Sequence, residues 1–172
     1  MKKIYIIMSF TGTILSRIIK MYEHDKYCHV SISLDKKLNQ MYSFGRLNPY
    51  NTFIGGLVHE KINKGTFKRF YKTQCKIIEI EITDEQFNLV KENINKIKKD
   101  RREYKFNVIG LFASAFKIKI KKDYYFYCAE FVKYILEESQ IKIDLPELIR
   151  PEHFDKIEAN VVYEGLLRKY KG

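Results

Sequence analysis

Tyr124-Tyr125-Phe126-Tyr127-Cys128-Ala129-Glu130-Phe131-Val132-Lys133-Tyr134-Ile135-Leu136-Glu137 changes character at its fifth residue. Before it stand four aromatics that suit a short strand or core segment. After it, Phe131, Val132, Ile135 and Leu136 recur on one apolar helical face, so a helix is expected to open at Cys128. A thiol in that position is chemically distinctive. The unpaired N–H groups and the positive dipole end of a helix N-terminus favour a thiolate, and a nearby imidazole can hold the proton it gives up.

Working outward, the imidazole has one good candidate. The stretch from Cys28 to Leu34 alternates, with Val30, Ile32 and Leu34 on one face and His29, Ser31 and Ser33 on the other. His29 is therefore expected on a strand, with its ring on the polar face. The other three histidines are placed less well: His24 in a charged loop, His59 in a Gly-rich segment and His153 just after Pro151.

The remaining chain supplies a frame of strands and helices. Ile4 to Met8 is a β-branched and aromatic run that predicts a buried first strand, and Ile14, Ile18, Ile19 and Tyr22 predict a short amphipathic helix after it. Asp35 to Gln40 suits a hairpin loop, and Met41 to Phe44 a second hairpin strand that Gly45 ends. Leu47 to Gly65, with Asn48-Pro49 and Gly55-Gly56, is expected to be a loop, with Gly55 to Glu60 a candidate lid. Lys76 to Ile82 alternates as a strand. Thr83 then stands three residues before Gln86 in a capping-box pattern, and Phe87, Val90, Ile94 and Ile97 predict a helix over 84–99. Val108 to Phe116 is apolar enough for a buried helix.

Composition bounds what this frame can be. A chain of 172 residues is sized for one domain over 1–172, and 45% hydrophobic residues are enough for a core without disulfides or metal. Three cysteines without CxxC spacing point to neither a disulfide framework nor a zinc site. A reducing, cytoplasmic setting is expected, with no cofactor. The basic start Met1-Lys2-Lys3 precedes an apolar stretch that is interrupted at Ser9, Thr11, Gly12 and Thr13, so a strand is expected there rather than a signal peptide. No run is long enough to span a membrane. The net charge of +11 favours contact with an anionic surface, but no nucleic-acid-binding motif accompanies it, so no specific nucleic-acid partner is expected.

Three strings taken together resemble a known family: His29-Val30-Ser31-Ile32-Ser33-Leu34-Asp35, then Met41-Tyr42-Ser43-Phe44-Gly45, then Tyr127-Cys128-Ala129-Glu130-Phe131-Val132. They are similar to the circularly permuted papain-like amidases, relatives of the NlpC-type cell-wall peptidases and of the lecithin–retinol acyltransferases. In that group the histidine strand precedes the cysteine helix, and the order here matches over roughly Ile4 to Leu136. The resemblance implies an α+β domain, a small, mostly antiparallel sheet packed against helices. It also implies a thiol hydrolase, peptidase or acyltransferase with Cys128 as nucleophile and His29 as base.

The family commonly has Ser where this chain has Ala129, and a strong acceptor on the next strand to orient the histidine. The best-placed polar residue here is Ser43, whose hydroxyl offers no charge to an imidazolium; Glu60 or Asn39 would serve if the loop folded back. Tyr127, Tyr42 and Glu60 are the candidate substrate contacts, the substrate being a peptide, a lipid ester or a glycan-linked peptide. Two other functions compete: a binding module of the same fold with weak or lost catalysis, and a basic adaptor for a polyanion.

Overall fold

The computed structural model describes residues 1–12, 26–48, 51–107, 110, 113, 118 and 124–172, with only the backbone described for 51–54. The helix expected around Ile14 to Tyr22 and most of the one expected over 108–116 lie outside the described residues. What is described is an α+β arrangement built on a six-stranded sheet in the order β4 (Asn51–Glu60), β3 (Met41–Asn48), β2 (His29–Ser33), β1 (Lys2–Phe10), β5 (Gln74–Ile82) and β8 (Asn160–Leu166), every neighbouring pair antiparallel.

The central strand is β1 (Lys2–Phe10), and its run Ile4 to Met8 is buried on both faces. That follows from its position between β2 (His29–Ser33) and β5 (Gln74–Ile82), with packed layers above and below. On one face Ile4, Ile6, Met8, Val30, Ile32 and Ile78 meet the helices α2 (Asp84–Lys99) and α3 (Cys128–Glu138). On the other, Tyr5, Ile7, Met41, Cys75 and Ile77 form a smaller core under Phe67 of α1 (Gly65–Arg69) and Leu167 of a terminal 3-10 turn (Leu167–Lys169). The polar face of β2 is therefore interior: Ser31 and Ser33 are fully buried.

Helix α2 begins where its signals lie. Thr83 Oγ1 accepts from the Gln86 N–H at 3.1 Å and the Gln86 side chain accepts from the Thr83 N–H at 3.0 Å. Its buried residues Val90, Ile94 and Ile97 follow the predicted spacing.

Two sequence expectations fail in the same place. Strand β3 does not end at Gly45 but runs Met41–Asn48, and 51–60 is not a loop but strand β4 (Asn51–Glu60), paired to β3 from Met41↔Glu60 to Asn48↔Asn51. Gly55 and Gly56 are strand residues, so they form no lid. A Cβ on Gly55 would come within 2.5 Å of the Phe106 ring, which explains the glycine by close packing rather than by a turn. Phe106 belongs to β6 (Lys105–Phe106), which pairs in parallel with β7 (Tyr125–Phe126) and leads the chain toward α3. The short helix α4 (Pro151–Asp155) and strand β8 (Asn160–Leu166) complete the described fold.

Candidate active site

The site forms where β2 and β3 part. Their pairing covers Ile32↔Tyr42 and Ser33↔Met41 only. In the same register His29 would face Gly45, and a Cβ built on Gly45 would stand 3.6 Å from His29 Cε1. The imidazole therefore lies at ordinary contact distance from the β3 backbone at this opening.

Cys128 arrives from the other direction as the first residue of α3. The helix is anchored over β2 and β3 by Phe131, fully buried, whose ring centroid lies 5.3 Å from that of Phe44 on β3. At the helix start the Glu130 carboxylate accepts from the Tyr127 N–H at 3.1 Å, fixing the entry of the chain into the first turn. The N–H of Cys128 belongs to the group of helix-start donors that have no partner within their own helix. Cys128 itself is buried, with 4% of its surface exposed.

His29 joins the two halves. Its Nε2 lies 3.0 Å from Glu60 Oε1, and Cys128 is near enough to contribute to the electrostatics of its ring. The His29 and Glu60 side chains are 19% and 10% exposed, so the pair sits in a partly desolvated setting. Burial alone would lower the imidazole pKa. The Glu60 charge and hydrogen bond, with a contribution from Cys128, outweigh it and raise His29 from 6.5 to about 10. For Glu60 burial pushes upward, but the His29 charge and the hydrogen bonds of His29 and Ser31 win and hold the carboxyl below its ordinary 4.5.

Glu60 is thus the group that orients His29, a role the sequence had assigned first to Ser43. Ser43 is fully buried near the Glu60 carboxylate, and its hydroxyl has no hydrogen-bond partner among the described residues. The physical reason is the strand that replaced the loop. Once β4 pairs with β3, Glu60 lies across from Met41 and its longer side chain reaches over β3 to the imidazole. Asn39, the other alternative, instead offers its backbone carbonyl to His59 Nε2 at 2.7 Å. Ser31 was not singled out as a site residue; its hydroxyl donates to Glu60 Oε2, and its place two residues from His29 on the same face was the available signal.

The proposed substrate contacts fare differently. Tyr127 is 2% exposed, and its hydroxyl donates to the Ile149 carbonyl at 2.6 Å, so it serves the core rather than a cleft. Tyr42 stacks on His59, ring centroids 4.9 Å apart, and lines a cleft of about 240 Å³ with Leu57, Lys98 and Arg101. Glu60 lines another cleft, of about 80 Å³, whose walls include Arg46, Lys64 and Phe67.

Cys28, Cys75 and Cys128 are all buried and form no disulfide. Among the described residues no group of three His, Cys, Asp or Glu side chains is arranged to hold a metal ion, and no helix is long and apolar enough to cross a membrane. Compared with protein-family models, curated proteins and solved structures, the chain gives no match.

Proposed function

We propose that the chain is a cytoplasmic, cysteine-dependent hydrolase or acyltransferase on a circularly permuted papain-like fold, with Cys128, His29 and Glu60 as its working residues. The observation that carries this reading is the imidazole of His29 bonded to the Glu60 carboxylate and acted on by Cys128, a thiol at a helix N-terminus. A structural histidine needs no such pair of partners. The binding-module alternative was motivated by a missing acceptor for His29, and Glu60 removes that motive.

The chemistry follows from the geometry. With Nε2 engaged by Glu60 and the ring favoured in its charged form, Nδ1 carries the proton that Cys128 has given up. The sulfur attacks a carbonyl carbon of an amide or ester, a C–S bond forms, and the oxygen takes the negative charge. The Cys128 N–H is the nearest helix-start donor to that oxyanion. Collapse breaks the C–N or C–O bond, and His29 returns its proton to the departing amine or alcohol. Water or another acceptor then cleaves the thioester by the reverse sequence, giving hydrolysis or acyl transfer. Glu60 stabilises the imidazolium throughout, as an ionised acceptor can and a hydroxyl cannot.

The test is acylation by a small activated ester such as p-nitrophenyl acetate. A burst of nitrophenolate with one acetyl group on the Cys128 peptide is expected, absent from Cys128→Ala and strongly slowed in His29→Ala. Acetylation spread over lysines, with Cys128 unmodified, would refute the reading.

A further inference from the structure

Strands β3 and β4 carry an aromatic plate that the catalytic reading leaves unused. Tyr42 and His59 are partners in the strand register. Their rings stack with centroids 4.9 Å apart and planes 21° apart. His59 is exposed, yet its Nε2 lies 2.7 Å from the Asn39 carbonyl oxygen. A carbonyl only accepts, so Nε2 donates this bond. An imidazole turned to solvent is thus fixed at its edge by the backbone and on one face by Tyr42. A ligand that stacks on it finds the ring already ordered, so little side-chain freedom is lost on binding.

Both rings line a cleft of about 240 Å³, whose walls include Leu47, Leu57, Lys98 and Arg101. Leu57 packs against the main core and Leu47 is 47% exposed, so apolar surface flanks the plate. Lys98 stands in the last turn of α2 and Arg101 just past its end. Both are exposed, and among the described residues neither is paired with a carboxylate. The carbonyl end of a helix favours cations, which accounts for Lys98 on its own but not for a fixed aromatic plate in the same cleft. Ring surface, apolar walls and two cations together match a ligand that joins a flat ring to an anionic group. The volume suits a single ring system rather than a long chain.

We propose that this cleft binds a small planar aromatic anion, its ring stacked on His59 and its charge held by Lys98 and Arg101. A nucleoside monophosphate and an aromatic carboxylate share that chemistry. The site does not depend on the catalytic reading: neither His29 nor Cys128 lines the cleft, so each proposal can fail without the other.

The experiment titrates the full chain in a calorimeter with AMP and with indole-3-carboxylate, each beside its neutral counterpart, adenosine or indole-3-carboxamide. At least one anion is expected to bind about tenfold or more tighter than its counterpart, with a preference that shrinks as NaCl is added. The anion that binds identifies the phosphate or the carboxylate as the group recognised. Arg101→Gln should weaken that anion about tenfold, the order expected for losing a charge-assisted hydrogen bond, and leave the neutral compound unchanged. His59→Ala should weaken both about fivefold by removing the stack. Cys128→Ala should change nothing. Failure of both anions to bind, equal binding of anion and neutral compound, or affinities unmoved by Arg101→Gln and His59→Ala would overturn the proposal. Displacement by an equal concentration of inorganic phosphate would overturn the role of the ring.

Discussion

At the scale of single residues, the division of labour between Glu60 and Ser43 decides the chemistry. Both lie near His29, but only the carboxylate bonds the ring and favours its charged form. Glu60→Gln keeps the shape and removes the charge. It is expected to slow acylation of Cys128 by more than tenfold and, because it leaves the buried imidazole without its charge partner, to destabilise the fold by about 3 kcal/mol. The ester burst and a urea melt read the two effects. Ser43 only helps hold the Glu60 carboxyl low and does not bond the ring, so Ser43→Ala should lower both rate and stability far less than Glu60→Gln does. A Ser43→Ala chain as slow as Glu60→Gln would return the orienting role to the serine.

At the scale of elements, the site depends on β4 being a strand. Gly55 lets that strand pass beneath Phe106, and Gly55→Ala, whose Cβ would stand 2.5 Å from the ring, should cost about 1–3 kcal/mol in a urea melt. Gly45→Ala, with its Cβ at 3.6 Å from His29, meets only ordinary contact and should cost less. The same strand marks the limit of what could be read from sequence. The elements α2 and α3 and strands β1, β2 and β5 were legible because each carries its own period or cap: Thr83 with Gln86, Val90-Ile94-Ile97, Phe131-Val132-Ile135. Strand β4 carries none. Gly55 and Gly56 are turn residues by local preference, and only pairing with β3 and packing against Phe106 override that preference. By local preference alone Glu60 falls in a loop with no fixed place, which leaves Ser43 as the nearer polar side chain. His29 and Cys128 were legible because strand alternation and helix onset are local signals.

At the scale of the whole molecule, the catalytic pair ties stability to pH. His29 has a pKa near 6.5 when unfolded and about 10 when folded, so between those values the folded chain holds a proton that the unfolded chain has lost. Its contribution is complete below about 6.5 and declines as pH rises toward 10. Glu60 works in the opposite direction: its folded pKa lies below 4.5, so its contribution is present above that value and is lost as pH falls through the folded one. The urea midpoint should therefore drop between about pH 7 and pH 9.5 in the natural chain, and drop less in His29→Gln. The whole account turns on whether His29 activates Cys128, and the pH dependence of Cys128 alkylation by iodoacetamide measures that directly. The account expects rapid reaction at about pH 6.5, where an unassisted thiol is mostly protonated, and a loss of at least about tenfold in His29→Ala. Equal rates in the two chains, rising together only as an ordinary thiol ionises near about pH 8.5, would contradict it.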